Sequence, residues 1–408
     1  YETPPSGFLA MCSANLPDTT ISPSKSSQAD DHFDTQIWSG DSSSTRNIDL
    51  YGFQPDWSWI KNRTGANIHI LFDSLRGVSN SINTAITSNN TCPEGLGVNH
   101  TSTTVYGGVS AFRTNGFTLK EGSTDARYVN ATSNNYVGWS WKAGGEPTAD
   151  NSAGAGNTPT SNSVKIDGSN LGSALAGTIP ATRLSANTTA GFSIVTYTGT
   201  GTLTDTVAHG LGVVPEMYMV KSRSEAQNWH VYHHNNHATD PEDYVLVLNV
   251  NNDLSPSSNN YWNSTAPTTT VVSVGDDNSS NKNGTTYVMY CFASVDGFSK
   301  FGKYNPNGST DGTYIHLGFT PAFFMAKSLT ANGYEWVMID NKRTTNNERQ
   351  GYIRANEHLA ENTSYNYVDF LSNGIKIRAG ANQDLNNSSH TLIYMAFAQN
   401  PFKFSNAI

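Results

Sequence analysis

Three stretches of the chain carry the same order of marks, and this recurrence limits the possible fold more than any other feature. The first reads Gly52-Phe53-Gln54-Pro55-Asp56-Trp57-Ser58-Trp59-Ile60-Lys61, the second Gly212-Val213-Val214-Pro215-Glu216-Met217-Tyr218-Met219-Val220-Lys221, and the third Gly318-Phe319-Thr320-Pro321-Ala322-Phe323-Phe324-Met325-Ala326-Lys327. In each, glycine precedes the proline by three positions and lysine follows it by six. An aromatic residue and a turn come before each stretch, at Trp38-Ser39-Gly40-Asp41, Tyr197-Thr198-Gly199-Thr200 and Tyr304-Asn305-Pro306-Asn307-Gly308. A second run follows, at His69-Ile70-Leu71-Phe72-Asp73, Trp229-His230-Val231-Tyr232-His233 and Trp336-Val337-Met338-Ile339-Asp340. Farther on lie Asn115-Gly116-Phe117 and Asn373-Gly374-Ile375, with Val271-Val272-Ser273-Val274 as a weaker counterpart. Closing runs stand at Tyr136-Val137-Gly138-Trp139-Ser140-Trp141, Tyr287-Val288-Met289-Tyr290-Cys291-Phe292 and Ile393-Tyr394-Met395-Ala396-Phe397. Units of roughly 105 to 110 residues have the size of one β-sandwich.

Residue usage points to the same class. The chain holds 45 Asn, 45 Ser and 44 Thr among 408 residues, with 35 Gly, 19 Tyr, 17 Phe and 8 Trp. Ser, Asn and Gly favour turns over helices, while Thr and the aromatics favour pleated strands. No run of ten or more residues shows a capped apolar stripe at helical spacing, which argues against bundles and doubly wound folds. The expectation is an all-β protein of tandem antiparallel β-sandwich domains, jelly-roll or concanavalin-like, in three diverged repeats. Its boundaries read as an N-terminal extended segment 1–32, repeat 1 at 33–143, a Gly/Ala/Ser/Thr-rich linker 144–191, repeat 2 at 192–300 and repeat 3 at 301–408. Strands after Pro55 and Pro321 are apolar on both faces, as expected of strands covered on both sides. Each proline belongs at a strand entrance, where its missing N–H removes no ladder bond. The linker is too poor in apolar residues to fold alone. It reads either as flexible or as an extended piece ordered on a neighbour, since Val164-Lys165-Ile166 and Ile179 to Leu184 keep some apolar patterning.

A net charge of −9, and no basic run longer than Asn341-Lys342-Arg343, argue against nucleic acid as a partner. The longest apolar stretch, Pro321-Ala322-Phe323-Phe324-Met325-Ala326, is too short to span a bilayer as a helix, so membrane insertion is not expected. Cys12, Cys92 and Cys291 are an odd count without metal or disulfide spacing, which suits assembly in a reducing cytoplasm.

Candidate chemistry is sparse. His230, His233, His234 and His237 are the one dense group of metal-type ligands, but His230 and His233 fall on opposite faces of a strand, and Asp73 and Asp340 stand where His233 does. Asp240, Glu242, Asp243, Asp276 and Asp277 read as solvated turn residues before they read as paired glycosidase carboxylates. Lys61, Lys221 and Lys327 read as strand-end residues with packed stems and solvated ammonium groups, ahead of a ligand-contact role. Trp57, Trp59, Trp139, Trp141, Trp229, Trp262 and Trp336 read as core ahead of sugar-stacking platforms. No nucleophile elbow, HExxH, phosphate loop or EF-hand loop occurs, so no catalytic, cofactor-binding or metal residue is assigned.

Several of these marks resemble a repeated β-domain of unknown function from virion and tail-fibre-like proteins of marine tailed bacteriophages. Tyr197 to Gly201, Gly212 to Arg223, Asn228 to Tyr232, Tyr287 to Ala293, Trp57 to Arg63 and Phe370 to Ile377 carry the resemblance. The opening run from Pro4 to Pro17 resembles the segment that follows a SPRY or concanavalin-like domain, which implies such a domain upstream of Tyr1. The resemblance implies a non-enzymatic virion structural protein, a tail fibre, spike or capsid-surface appendage, serving particle decoration or host attachment at the virion surface after assembly in the host cytoplasm. Expected partners are further copies of the chain, as a trimer, other virion proteins and host surface glycans. The alternatives are a carbohydrate-binding receptor module and a polysaccharide-depolymerising tailspike.

Overall fold

The computed structural model describes residues 15–16, 18–49, 52–77, 84–95, 103–152, 154–256, 260–381 and 383–405. It is nearly all β, 37% strand against 4% helix, in several antiparallel sheets. Of the opening Pro4 to Pro17 run, all but Asn15 and Leu16, Cys12 included, lie outside the described residues.

In the first part of the chain the strands are β1 (Phe33–Ser39), β2 (Thr45–Ile48), β3 (Trp57–Asn62), β4 (Ile70–Asp73), β5 (Gly108–Arg113), β6 (Gly116–Lys120) and β7 (Asn135–Trp141). They form a sheet of order β1-β7-β3-β4 and a smaller one of order β2-β6-β5. Next come β8 (Val164–Ile166), β9 (Ser169–Asn170), β10 (Arg183–Asn187), β11 (Phe192–Thr198), β12 (Asp205–Ala208), β13 (Met217–Ser222), β14 (His230–His233), β15 (Tyr244–Val247), β16 (Ser255–Pro256), β17 (Val271–Val274) and β18 (Thr286–Phe292). Nine of these build the sheet β16-β15-β14-β13-β18-β11-β10-β8-β9, and β12 pairs with β17. The last part holds β19 (Ser299–Tyr304), β20 (Tyr314–His316), β21 (Phe319–Ser328), β22 (Val337–Asp340), β23 (Ile353–Arg354), β24 (Val368–Leu371), β25 (Gly374–Ile377) and β26 (Leu392–Pro401), in sheets β19-β26-β21-β22-β23 and β20-β25-β24.

One strand order therefore recurs in the large sheets: β1-β7-β3-β4, β11-β18-β13-β14 and β19-β26-β21-β22. Registers agree as well, since Trp57 faces Trp141, Met217 faces Phe292 and Phe323 faces Phe397. Pro55 and Pro215 stand two residues before β3 and β13. Pro321 stands inside β21, at a register irregularity flanked by Thr320 and Phe323, where an absent N–H is tolerated. The Asn-Gly pairs make the β5–β6 and β24–β25 hairpins. Both glycines are needed for close approach: a Cβ would sit 1.7 Å from the Ile48 carbonyl oxygen at Gly116 and 2.1 Å from that of Ile315 at Gly374.

Every residue of β3, β13 and β21 is buried, because each central strand is covered on both faces. One face packs on its own smaller sheet. Ile60, Phe72 and Tyr136 meet Ile48, Phe117 and Leu119, while Tyr218, Met289 and Cys291 meet Val207, Val272 and Trp262. The opposite faces of all three large sheets run into one apolar cluster, where Trp57, Trp59, Trp141, Phe192, Met217, Tyr290, Phe292, Phe323 and Phe397 lie together. Phe33 stacks on Phe397 at 5.1 Å and Trp57 on Tyr290 at 4.6 Å, contacts between different sheets. Full burial of such side chains contributes about 2–3 kcal/mol each. The sandwiches thus share a centre and are not separate beads on a string.

The 144–191 stretch also departs from a flexible linker. β10 pairs antiparallel with β11 and parallel with β8, and Val164, Ile179, Ala181, Leu184 and Ala186 sit in the second sandwich's core. Five apolar side chains suffice here because β11 supplies the ladder they dock on, which no count of apolar residues within the segment could reveal.

Candidate functional site

The lysine that ends each recurring motif lies on the last turn of ladder before a loop, and in all three places it is fully buried. The expected solvated ammonium group is therefore corrected. Lys61 Nζ donates to the carbonyls of Asn62 at 2.7 Å, Gly65 at 3.3 Å and His358 at 3.3 Å. Lys221 Nζ donates to Thr91 at 3.1 Å and Gln227 at 2.8 Å, and Lys327 Nζ to Ser328 at 2.9 Å. The sequence shows a strand end, but another sandwich closes over it. Burial pushes Lys61 and Lys221 down to about 7 and Lys327 to about 8. Between those values and about 10.4 the unfolded lysines hold protons that the folded ones have released, so stability rises with pH over that window, by up to about 1.4 kcal/mol per pH unit per lysine. We predict a melting temperature higher at pH 9 than at pH 7, and a pH slope reduced by about a third in Lys221→Met. Calorimetry across pH 6.5–9.5 checks this; a flat profile refutes it.

His358 and Thr91 belong to other sandwiches than the lysines they meet, and the same cyclic pattern holds for neighbouring groups. Trp229 Nε1 donates to the Thr87 carbonyl at 2.7 Å, Trp336 Nε1 to Val247 at 3.1 Å, and His69 Nε2 lies 3.1 Å from the Arg354 carbonyl. Backbone bonds join Glu94 to Arg223 at 2.8 Å, Leu254 to Leu329 at 2.9 Å and Glu361 to Arg63 at 2.9 Å. The second sandwich thus docks on the first, the third on the second and the first on the third.

Two of these joints carry a buried ionic network. At one, Arg76 Nε meets Asp73 at 2.6 Å, Tyr290 donates to Asp73 at 2.6 Å, and Glu94 meets Arg223 at 2.6 Å and Arg76 at 3.8 Å. At the other, Arg343 Nε meets Asp340 at 2.5 Å, Trp139 Nε1 donates to Asp340 at 3.0 Å, and Glu361 meets Arg63 at 2.7 Å and Arg343 at 2.9 Å. Burial alone would raise the Asp340 carboxyl, but the Arg343 guanidinium holds it below the usual range. At the third joint the corresponding residues are His233, Asn236, Leu254 and Leu329, and His233 Nε2 lies 3.2 Å from the Tyr394 carbonyl. The arginine and glutamate partners went unnoticed in the sequence. Their signal was there, in Asp73 to Arg76 and Asp340 to Arg343 at equal spacing, each pair sealed by an aromatic donor from a different block.

A cavity of about 600 Å³ opens where the first sandwich meets the β8–β10 segment. His32, Asp56, Lys142, Gly145, Glu146, Lys165, Asp167, Asn187 and Thr189 contribute to its lining. Asp56, after Pro55, is buried and accepts from Ser74 Oγ at 2.8 Å, Ala143 N at 2.8 Å and Gly145 N at 3.2 Å. Burial raises its carboxyl to about 6. His32 is bridged by Ser27 at 2.6 Å and Asn187 at 2.9 Å, and burial lowers it to about 4. These two groups brace the cavity's inner wall, while Lys142 and Lys165 are half-buried and Glu146 and Asp167 exposed at its mouth.

The family model of a domain of unknown function, DUF7483, matches residues 28–401, through all three large sheets and the cavity wall. The chain belongs to that family. The match is consistent with a single domain of unknown function. No curated protein matches it.

Within this DUF7483 domain the four histidines do not meet at one point, although the His233 and His234 rings lie 5.2 Å apart, with His234 Nε2 3.0 Å from the Phe301 carbonyl. His230 packs on Tyr261 at 4.2 Å in the outer core of its sheet, while His233 turns to the shared centre and His237 stacks on Tyr244 at 4.2 Å. Among the described residues no three His, Cys, Asp or Glu side chains gather into a metal-type group. Glu242 and Asp243 lie on a single 3-10 turn, and the Asp277 carboxylate accepts from the Ser279 backbone at 2.7 Å. All seven tryptophans named above are buried, so none offers a face to a sugar. Cys92 and Cys291 are buried thiols.

Proposed function

We propose that this DUF7483 domain is a non-enzymatic virion structural protein of a tailed bacteriophage, a tail fibre, spike or capsid-surface appendage that decorates the particle or attaches it to its host. One observation carries the reading: the ionisable residues that recur along the chain are spent on joining three sandwiches. Lys61, Lys221, Asp73, Arg76, Asp340 and Arg343 are all buried against another part of the same chain. Such a design favours a rigid, hydrated building block over a reactive cleft, and the motif residues resemble those of virion proteins. A trimer of the chain remains the proposed assembly, and the mass of the purified chain in solution, against 44.1 kDa for one copy, tests it. Other virion proteins and host surface glycans remain the proposed partners, with the virion surface as the location.

Antibodies against the domain should label purified particles, and incubation with host surface polysaccharide should release no oligosaccharide. Particles that stay unlabelled would overturn the reading. Release abolished by changing one acidic residue would favour a depolymerase instead. The cavity beside β8 and β10 specifically favours a second reading, a glycan-binding receptor module.

A further inference from the structure

We infer that the cavity between the first sandwich and the β8–β10 segment is a binding site for an anionic sugar unit, a hexuronate-type residue of a surface polysaccharide. The inference rests on the attachment reading and supplies its ligand class. Volume is the first argument: about 600 Å³ lies within the roughly 300–1,000 Å³ of small-molecule pockets and accommodates one or two sugar rings.

Charge placement is the second. Lys142 and Lys165 both line the cavity, and among the described residues neither ammonium group has a hydrogen-bond or ion-pair partner. Three other polar groups of the wall are engaged: Asp56 by Ser74, Ala143 and Gly145, His32 by Ser27 and Asn187, and Asp167 by the Thr188 backbone at 2.8 Å and hydroxyl at 2.6 Å. Lys165, and Lys142 in the field of Asp56, can each give an anionic group in the concavity charge-assisted hydrogen bonds. Glu146 and Asp167 at the mouth disfavour a bare polyanion and accept from hydroxyl donors. A ligand that carries one carboxylate amid several hydroxyl groups meets both demands, whereas inorganic sulfate or a neutral hexose meets only one.

The wall is also built to stay open. Asp56 ties the chain after β7 at Ala143 and Gly145, and a Cβ at Gly144 would come 2.4 Å from the Ala186 carbonyl oxygen and 2.7 Å from that of Lys165. The lysines therefore project from backbone fixed by two ladders, which lowers the ordering cost of binding.

Calorimetric titration of the whole chain with glucuronate, glucose, glycine and inorganic sulfate tests the site. Saturable glucuronate binding is expected, at least tenfold weaker in Lys142→Ala/Lys165→Ala, with glucose, glycine and sulfate at least tenfold weaker than glucuronate on the native chain. Both lysines are half-buried and unpaired, so an unchanged melting temperature should accompany the loss. Absent binding, binding unaffected by the double variant, or equal binding of glycine or sulfate would overturn the inference. Cell adhesion separates it from the attachment reading. Adhesion without glucuronate binding sinks the site alone, and glucuronate binding without adhesion sinks attachment alone.

Discussion

Arg343→Ala should destabilise the domain by roughly 3–5 kcal/mol, because it leaves the buried Asp340 carboxylate without its counter-ion. The geometry concentrates the effect. Arg343 spans Asp340 at 2.5 Å, Glu361 at 2.9 Å and the Met338 carbonyl at 3.0 Å, and both Arg343 and Asp340 side chains are fully buried. Its removal strips two carboxylates at once and loosens the joint between the third and first sandwiches, where Arg63 also depends on Glu361. Asn236 stands at the matching place of the joint that lacks this network, and Asn236→Ala should cost only about 1 kcal/mol. Urea unfolding followed by tryptophan fluorescence measures both. Equal losses would mean that the ionic networks do not hold the joints. Replacing both charges, as Asp340→Asn/Arg343→Met, should recover part of the loss, since a buried pair is costly chiefly when broken.

Acidification should unfold the domain cooperatively between about pH 5.5 and pH 4.5, well above the range in which carboxylates alone would act. His32, His209 and His230 are lowered by burial to about 4, His233 to about 3, and His69 well below its ordinary value. Below pH 6.5 the unfolded chain takes up protons at these positions while the folded chain refuses them, so stability falls with pH by as much as about 1.4 kcal/mol per unit for each histidine. At pH 4.5 the five together forfeit on the order of 10 kcal/mol, comparable with the whole stability of a typical domain. Asp56, raised by burial to about 6, and Asp34, raised by burial as well, work in the opposite sense and recover a smaller part. A fluorescence titration paired with proton-uptake calorimetry checks this: uptake of several protons should accompany the transition. Native fluorescence persisting to pH 4 would refute it.

Periodicity in the sequence reached the strands because burial on two faces leaves an unbroken apolar run, as in Met217 to Val220, and the closing runs Tyr136 to Trp141 and Tyr287 to Phe292 pair where their spacing implies. The Asn-Gly pairs stood out in the sequence only as recurring marks; that they turn the β5–β6 and β24–β25 hairpins, and that their glycines admit the Ile48 and Ile315 carbonyls of the neighbouring strands, the structure shows. The lysines misled for a related reason: a strand end looks solvated until another sandwich covers it. The cavity was illegible, because Asp56, Lys142 and Lys165 stand far apart in sequence and meet only when β10 pairs with β11.

Local chemistry, then, is what the sequence determined by itself: strand positions, turns, the apolar faces and the recurring Gly-Pro-Lys spacing all depend on neighbours within a few residues. Tertiary structure alone decided that three sandwiches would close on one core, that His69, Trp229 and Trp336 would each reach a carbonyl of a different sandwich, and that two joints would be ionic and one would not. Those outcomes turn on desolvation and on long-range partners. A lysine or aspartate has the same letter in water and in a core, and only the elements packed against it set which of the two it experiences.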